Sequence, residues 1–209
     1  MSEDYVWVSA LFKSGTLERA WNIDLYYDGI ERSSQFSFSN YYGLHVANED
    51  RPRYSWAHEN YPPIKKLPPV FDIRNALVVS EAVSHVFADM DLGEGSLLPM
   101  EQGIFQSEQV TKLNGNYFSW VIGNKKTTVL LNETKGKMKL NPRGEVWHLQ
   151  SASSMVDDSV VVSRSALDGV DQWVDPTLQK SLFLGRRFGD AIVDAGLKEA
   201  FFLYRCPVI

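Results

Sequence analysis

The chain has a single cysteine, Cys206, among its 209 residues. No internal disulfide is possible, and no thiolate cage can hold a metal. No segment approaches the roughly 20 uninterrupted apolar residues that a membrane helix requires. The opening Met1-Ser2-Glu3-Asp4 is acidic, whereas a secretory signal starts basic and continues apolar. These absences lead to the expectation of a cytoplasmic protein with no membrane partner.

Chemistry-bearing motifs are also scarce. His45, His58, His85 and His148 are scattered, and none has the spacing of a helical zinc site. There is no G-x-S-x-G elbow to mark a nucleophilic serine. Cys206 sits beside Tyr204, Pro207 and Val208, which reads as a buried core thiol. Gly123-Asn124-Lys125-Lys126-Thr127-Thr128 has a phosphate-loop flavour, but Phe118 stands where the first glycine is needed. The basic tip of a β-hairpin is the better reading there. Gly93-Glu94-Gly95 is only part of a dinucleotide fingerprint and follows a helix instead of a strand. No cofactor, metal or catalytic residue is therefore expected.

What is present describes a globular chain: 44% hydrophobic, 22% charged, with 11 Phe, 9 Tyr and 6 Trp. Aromatics at that density favour strands and large rigid contact surfaces. The length suits one large domain or two small ones. Tyr5–Phe12 is aromatic and β-branched and reads as a strand, with a turn at Ser14-Gly15-Thr16. Trp21, Ile23, Leu25 and Tyr27 alternate with Asn22, Asp24, Tyr26 and Asp28, the period of a half-buried strand, which Asp28-Gly29 closes. Residues 48–69 carry Pro52, Pro62, Pro63, Pro68 and Pro69 among Tyr54, Trp56 and Tyr61, an extended loop draped over the sheet.

From Ala76 the pattern sharpens. Ala76–Val79 reads as a strand with Ser80 as N-cap, and Val83, Val86, Phe87 and Met90 form the stripe of a helix near 80–91 that Gly93 ends. Ser96–Met100, Tyr117–Ile122, Thr127–Leu131, Val146–Gln150 and Ser159–Val162 are strand candidates, with a tight turn at Asn114-Gly115. Leu182–Leu184 then opens a second unit. Gly185 stands where Ser80 stood, Phe188, Ala191, Ile192 and Ala195 make the stripe of a helix near 185–195, and Gly196 ends it. Phe201-Phe202-Leu203 returns as a strand. A shift of 105 residues aligns Val79 with Leu184, Val83 with Phe188 and Phe87 with Ile192. The expectation is one α+β domain over 1–209, with a mostly antiparallel or mixed sheet and two amphipathic helices in two similar strand–helix–strand units. Residues 1–67 form its N-terminal β region and proline–aromatic loop, and 68–209 its core.

Charge is unevenly placed. Residues 75–111 hold Glu81, Asp89, Asp91, Glu94, Glu101 and Glu108 and no Lys or Arg. Residues 112–143 hold Lys112, Lys125, Lys126, Lys135, Lys137, Lys139 and Arg143 against Glu133 alone. Such blocks are either solvated faces or a surface that steers a partner. Asp89, Asp91 and Glu94 are the candidate partner-binding residues. Tyr117, Phe118 and Trp120 beside the basic block suit stacking on a single-stranded nucleic acid, but the chain's pI of about 5.4 disfavours that partner. Asp168, Asp171 and Asp175 are the best grouped carboxylates. They lack the alternation of a calcium loop, and turn or capping roles suit them better.

From about residue 68 the chain resembles a bacterial family first catalogued as a domain of unknown function and later placed among the immunity proteins of polymorphic toxin systems, as their eleventh class. The resemblance lies in Pro69–Ile73, Leu77–Glu81, Leu92–Gly95 and Leu98-Pro99. It continues in Gln172–Pro176, Leu182–Leu184, Ala191 through Leu197 and Phe201-Phe202. Gly185 and Val174 depart from the family's usual serine and basic residue. The resemblance implies a protein that neutralises a co-encoded toxin by direct binding, without catalysis. Two other readings stay open: an enzyme of unrecognised type built on Asp168, Asp171 and Asp175, and a nucleic-acid-binding module using residues 112–143.

Overall fold

A computed structural model describes residues 4–14, 21–23, 30–73, 76–139 and 146–209. The expected turn at Gly15-Thr16, the second half of the strand after Ile23, its closure at Asp28-Gly29, and Arg143 lie outside these residues. The class is α+β with mostly antiparallel sheets, as expected. The chain gathers into two compact units, Met1–Ser14 with Asp89–Gly93 and Asn124–Ile209, and Gly15–Ala88 with Glu94–Gly123.

The first unit is built around β1 (Tyr5–Ser9), whose alternating side chains serve two faces. It lies between β13 (Leu182–Leu184) and β14 (Leu203–Pro207), with β11 (Gln172–Trp173) outside β13, in an all-antiparallel order β11-β13-β1-β14. Val6, Val8, Trp173, Phe183 and Cys206 join one buried cluster. The other face receives α4 (Arg186–Asp194), which buries Phe188, Gly189 and Ile192. The helix ends as its sequence dictates. Gly196 takes φ +73°, its N–H donates to Val193 O at 2.9 Å, and Leu197 N–H donates to Ile192 O at 3.0 Å. This is the paired closure that a glycine just past a helix permits. A smaller mixed sheet has β10 (Trp147–Leu149) between β9 (Lys137–Lys139), antiparallel, and β12 (Leu178–Gln179), parallel. A single helical turn, α1 (Leu11–Ser14), follows β1.

The second unit repeats that arrangement. β5 (Ala76–Ser80) lies between β4 (Val70–Ile73) and β8 (Tyr117–Val121), with β6 (Ser96–Pro99) outermost, again all antiparallel. Phe71 and Val78 face one cluster, and the opposite face of β5 meets α3 (Glu81–Ser84). The smaller sheet has β3 (Tyr54–Ala57) between β2 (Trp21–Ile23), antiparallel, and β7 (Gly103–Phe105), parallel. In each unit, then, the second strand of a four-stranded sheet leads through a helix to the outermost strand. Val79 and Leu184, which the 105-residue shift aligns, each pair with the third strand of their sheet, Val79 with Phe118 and Leu184 with Trp7. The third strand is β8 in one unit, after the helix in sequence, and β1 in the other, at the start of the chain.

Several expectations need correction. The helix near 80–91 is shorter: α3 passes into a 3-10 turn over His85–Phe87 and stops. Val83 and Phe87 are buried as foreseen, while Met90 is half-buried. Ser80 has the extended backbone of an N-cap, but its hydroxyl caps nothing. Thr127–Leu131 and Ser159–Val162 are not strands and meet only at the bridge between Val129 and Val162. Phe201-Phe202 forms a turn, with Phe202 at φ +49°, and the strand starts at Leu203. Residues 123–128 are no hairpin tip, because Lys125 bridges in parallel to Val174. The loop over 48–69 includes β3, a central strand.

One helix was not foreseen. α2 (Ile30–Tyr41) is rich in serine, a residue that prefers caps and turns. Its buried positions include Phe36 and Asn40, one turn apart. Asn40 Oδ1 accepts the Ile122 N–H at 3.0 Å, so a polar side chain docks the helix onto the end of β8.

Candidate functional site

The six carboxylates between residues 75 and 111 are all exposed, but their surroundings differ. Asp89 and Asp91 lie in the first unit, Glu94 in the second. Asp91 is bracketed by Asp171. The Asp91 N–H donates to Asp171 Oδ2 at 2.8 Å, and the Asp171 N–H returns a bond to Asp91 O at 2.8 Å. Asp91 Oδ1 also accepts the Gly93 N–H at 3.0 Å, where Gly93 takes φ +56°. Asp91 is thus a turn residue as well as a surface charge. Glu94 faces His45 at 3.6 Å. Glu81 accepts from the Asn116 amide at 3.1 Å, and Glu108 accepts the Thr111 N–H at 3.0 Å.

Asp168, Asp171 and Asp175 do not converge on one centre. Asp175 is 1% exposed, and both its oxygens are consumed by its own fold. Oδ2 accepts from the N–H groups of Thr128 at 2.6 Å and Val129 at 2.8 Å and from the Thr128 hydroxyl at 3.2 Å. Oδ1 accepts from Thr177 N–H at 2.9 Å and Thr177 Oγ1 at 2.6 Å. A carboxylate so saturated is a fastener of loops. Asp171 binds Arg187 at 2.6 Å, a contact that raises the guanidinium's pKa with help from Asp89 and Asp91. Asp168 is exposed, and its carbonyl accepts from Lys126 Nζ at 2.7 Å. No group of three or more His, Cys, Asp or Glu side chains suited to a metal occurs among the described residues.

Gly185 is explained by the same loop. A β-carbon there would lie 2.9 Å from Asp171 Oδ1, so any larger residue at this position would crowd Asp171.

The basic block also dissolves into separate roles. Lys126 donates to two carbonyls and covers Trp173 at 4.0 Å, and burial lowers its pKa against the pull of Asp171, Asp168 and Asp91. Lys137 and Lys139 lie over Trp147, at 5.0 and 4.9 Å. Of the proposed stacking residues Tyr117 and Trp120 are buried and Phe118 is half-buried. Cys206 is wholly buried and its thiol is pushed well up by burial, so the thiolate that nucleophilic chemistry needs is suppressed.

Sequence reading missed a cleft of about 560 Å³ in the second unit. One wall is Lys65-Lys66-Leu67-Pro68-Pro69, and the other comprises Ser80, Lys112, Leu113, Asn114 and Tyr117. The signal was divided: two of the lysines sat in a loop read as a drape, and the third belonged to a block taken as linear.

No family model matches the chain, and no curated protein matches it. Among the described residues no helix is long and apolar enough to cross a membrane.

Proposed function

We propose that this protein neutralises a co-encoded bacterial toxin by binding it directly, acting in the cytoplasm as a stoichiometric blocker. The reading is supported by the acidic stretch: from residue 75 to 111 six carboxylates and no cation lie in sequence, and all six reach solvent. Exposed charges of one sign speed capture of a basic partner and can cover a cleft that handles anionic substrate. The resemblance to the eleventh class of immunity proteins supplies the partner class. Asp89 and Glu94 offer their charge to a partner, while Asp91 also maintains its turn.

Co-expression tests it. The toxin domain encoded beside this chain should kill a host alone and spare it when this protein is present, and the two purified proteins should elute together. Failure to protect together with failure to bind would remove the reading.

A further inference from the structure

The cleft between the proline strap and the Lys112–Tyr117 segment is rigid on both sides, and its charge is of one sign. The strap is pinned ahead of its lysines by a two-way amide clamp. Ile64 N–H donates to Gln106 Oε1 at 3.2 Å, and Gln106 Nε2 donates to Ile64 O at 2.7 Å. It is pinned after them by Leu67, 8% exposed, and by Pro69 O, which accepts the Ser80 N–H at 2.9 Å. Lys65 and Lys66 are held between these two anchors with their side chains exposed.

The facing wall is equally fixed. Leu113 N–H donates to Ile104 O at 2.7 Å. Lys112 runs across Gly103, where a β-carbon would meet its Cε at 2.2 Å. The Tyr117 hydroxyl donates to Asn114 O at 2.9 Å over Gly115, which sits at φ +109°.

Three lysines therefore line one cleft with no acidic residue in its lining. Among the described residues none of the three forms an ion pair. In sequence the nearest acids are Glu108, which accepts the Thr111 N–H, and Glu59 and Asp72, each six residues from a strap lysine; none of them lines the cleft. The Ser80 hydroxyl, which caps nothing, and the exposed Asn114 amide add neutral donors. Like charges held together in a preformed concavity are a cost that a bound anion removes. The lining contains lysines and no arginine, so it offers compact point charges, which suit phosphate oxygens, and lacks the planar fork that matches a carboxylate in two bonds. Leu67, Pro68, Pro69 and Leu113 give the cleft an apolar component, and its volume falls within the range of small-molecule sites.

We propose that this cleft binds a phosphate-bearing small molecule, its phosphates held by Lys65, Lys66 and Lys112.

Calorimetric titration of the full chain with inorganic pyrophosphate, ATP and citrate tests it. Pyrophosphate and ATP should bind saturably at one site, and more weakly as salt rises. Lys65→Gln with Lys66→Gln, and the triple variant that adds Lys112→Gln, should weaken both by about tenfold or more while the melting temperature holds. The double variant keeps the test sound should loss of the Lys112 stem disturb Gly103. ATP binding tighter than pyrophosphate supports the proposal and assigns the apolar lining to the rest of the ligand; equal binding supports it through phosphate alone. No saturation by either phosphate probe up to about 10 mM, unchanged affinity in both variants, or citrate binding as tightly as pyrophosphate would overturn it.

Discussion

The indole of Trp7 lies directly against the backbone of Gly189, so closely that a β-carbon on Gly189 would fall 1.9 Å from the indole Cδ1. The same ring donates from Nε1 to Asp190 Oδ1 at 2.9 Å, and the Tyr5 hydroxyl donates to the two oxygens of that carboxylate at 3.0 and 3.1 Å. Strand β1 and helix α4 are thereby fixed in register by one missing side chain and one carboxylate.

Gly189→Ala should therefore destabilise the protein despite alanine's better helix propensity. The propensity gain is about 1 kcal/mol, whereas forcing a methyl into this contact costs about 1–3 kcal/mol or more. A net loss of roughly 1 kcal/mol would lower the melting temperature by about 2–4 °C in a chain of this size. A melting temperature equal to or above that of the wild type would show that the ring is free to retreat.

Phe87 and Ile192 occupy equivalent places in the two units, at 4% and 0% exposure. Phe87 meets Trp120 edge-on at 5.0 Å. Truncating either to alanine should cost about 2–5 kcal/mol, measured by denaturant unfolding. If neither variant shifts the midpoint, these positions do not anchor their units.

The two strand–helix–strand units were legible because the central positions of their apolar stripes follow from periodicity. Of the two expected closing glycines Gly196 ends its helix, whereas Gly93 lies beyond the turn that ends at Phe87 and serves the Asp91 turn instead. Val79 and Leu184, Val83 and Phe188 carry a local signal that the tertiary structure uses without change. The rest depended on partners distant in sequence. α2 hides because a buried Asn40 supplies its anchor, and its value depends on the bare N–H of Ile122. The pairing of β1 with β13 and β14 joins the first residues to the last, and no window of sequence contains it. Asp175 was rightly read as a turn residue, but the Thr128 and Val129 N–H groups that saturate it lie more than forty positions away. The basic cleft failed to show for the same reason, since its two walls belong to different blocks of the sequence.

The saturated Asp175 gives a test that separates fastening from catalysis. Asp175→Asn keeps the volume but replaces an acceptor by a donor facing N–H groups, and should cost about 1–3 kcal/mol. Asp168→Asn, on an exposed side chain, should change stability by less than about 0.5 kcal/mol. Protection of cells from the toxin should track folding in both. Loss of protection in a fully folded, toxin-binding Asp168→Asn protein would indicate chemistry at this loop.

His148 predicts a pH dependence. It is 7% exposed, and its pKa is lowered by burial and by the nearby Lys13 and Lys180. The unfolded chain protonates this imidazole near pH 6.5, while the folded chain resists until lower pH. Its contribution is therefore complete above about pH 7 and declines as pH falls through 6.5 and below. Thermal unfolding between about pH 7.5 and 5.5 should show a falling midpoint, and His148→Phe should flatten that slope. An equal slope in the variant would assign the effect to other groups.

The exposed acids predict how a toxin is captured. If these charges steer a basic partner, association should be fast at low salt and slow as ionic strength rises, because screening shortens to about 8 Å near 0.15 M. Asp89 makes no ion pair among the described residues, and Glu94 has a histidine, His45, beside it. Reversing both, Asp89→Lys with Glu94→Lys, should reduce the association rate and flatten its salt dependence while leaving the melting temperature within error, since exposed charges contribute little to stability. Asp91 is excluded from the pair because its carboxylate accepts the Gly93 N–H, so its reversal would mix a folding effect with a steering one. Stopped-flow kinetics with the purified toxin domain would measure both quantities. An association rate and salt slope identical to the wild type's would mean that these two charges face solvent in the complex and that capture proceeds through another surface.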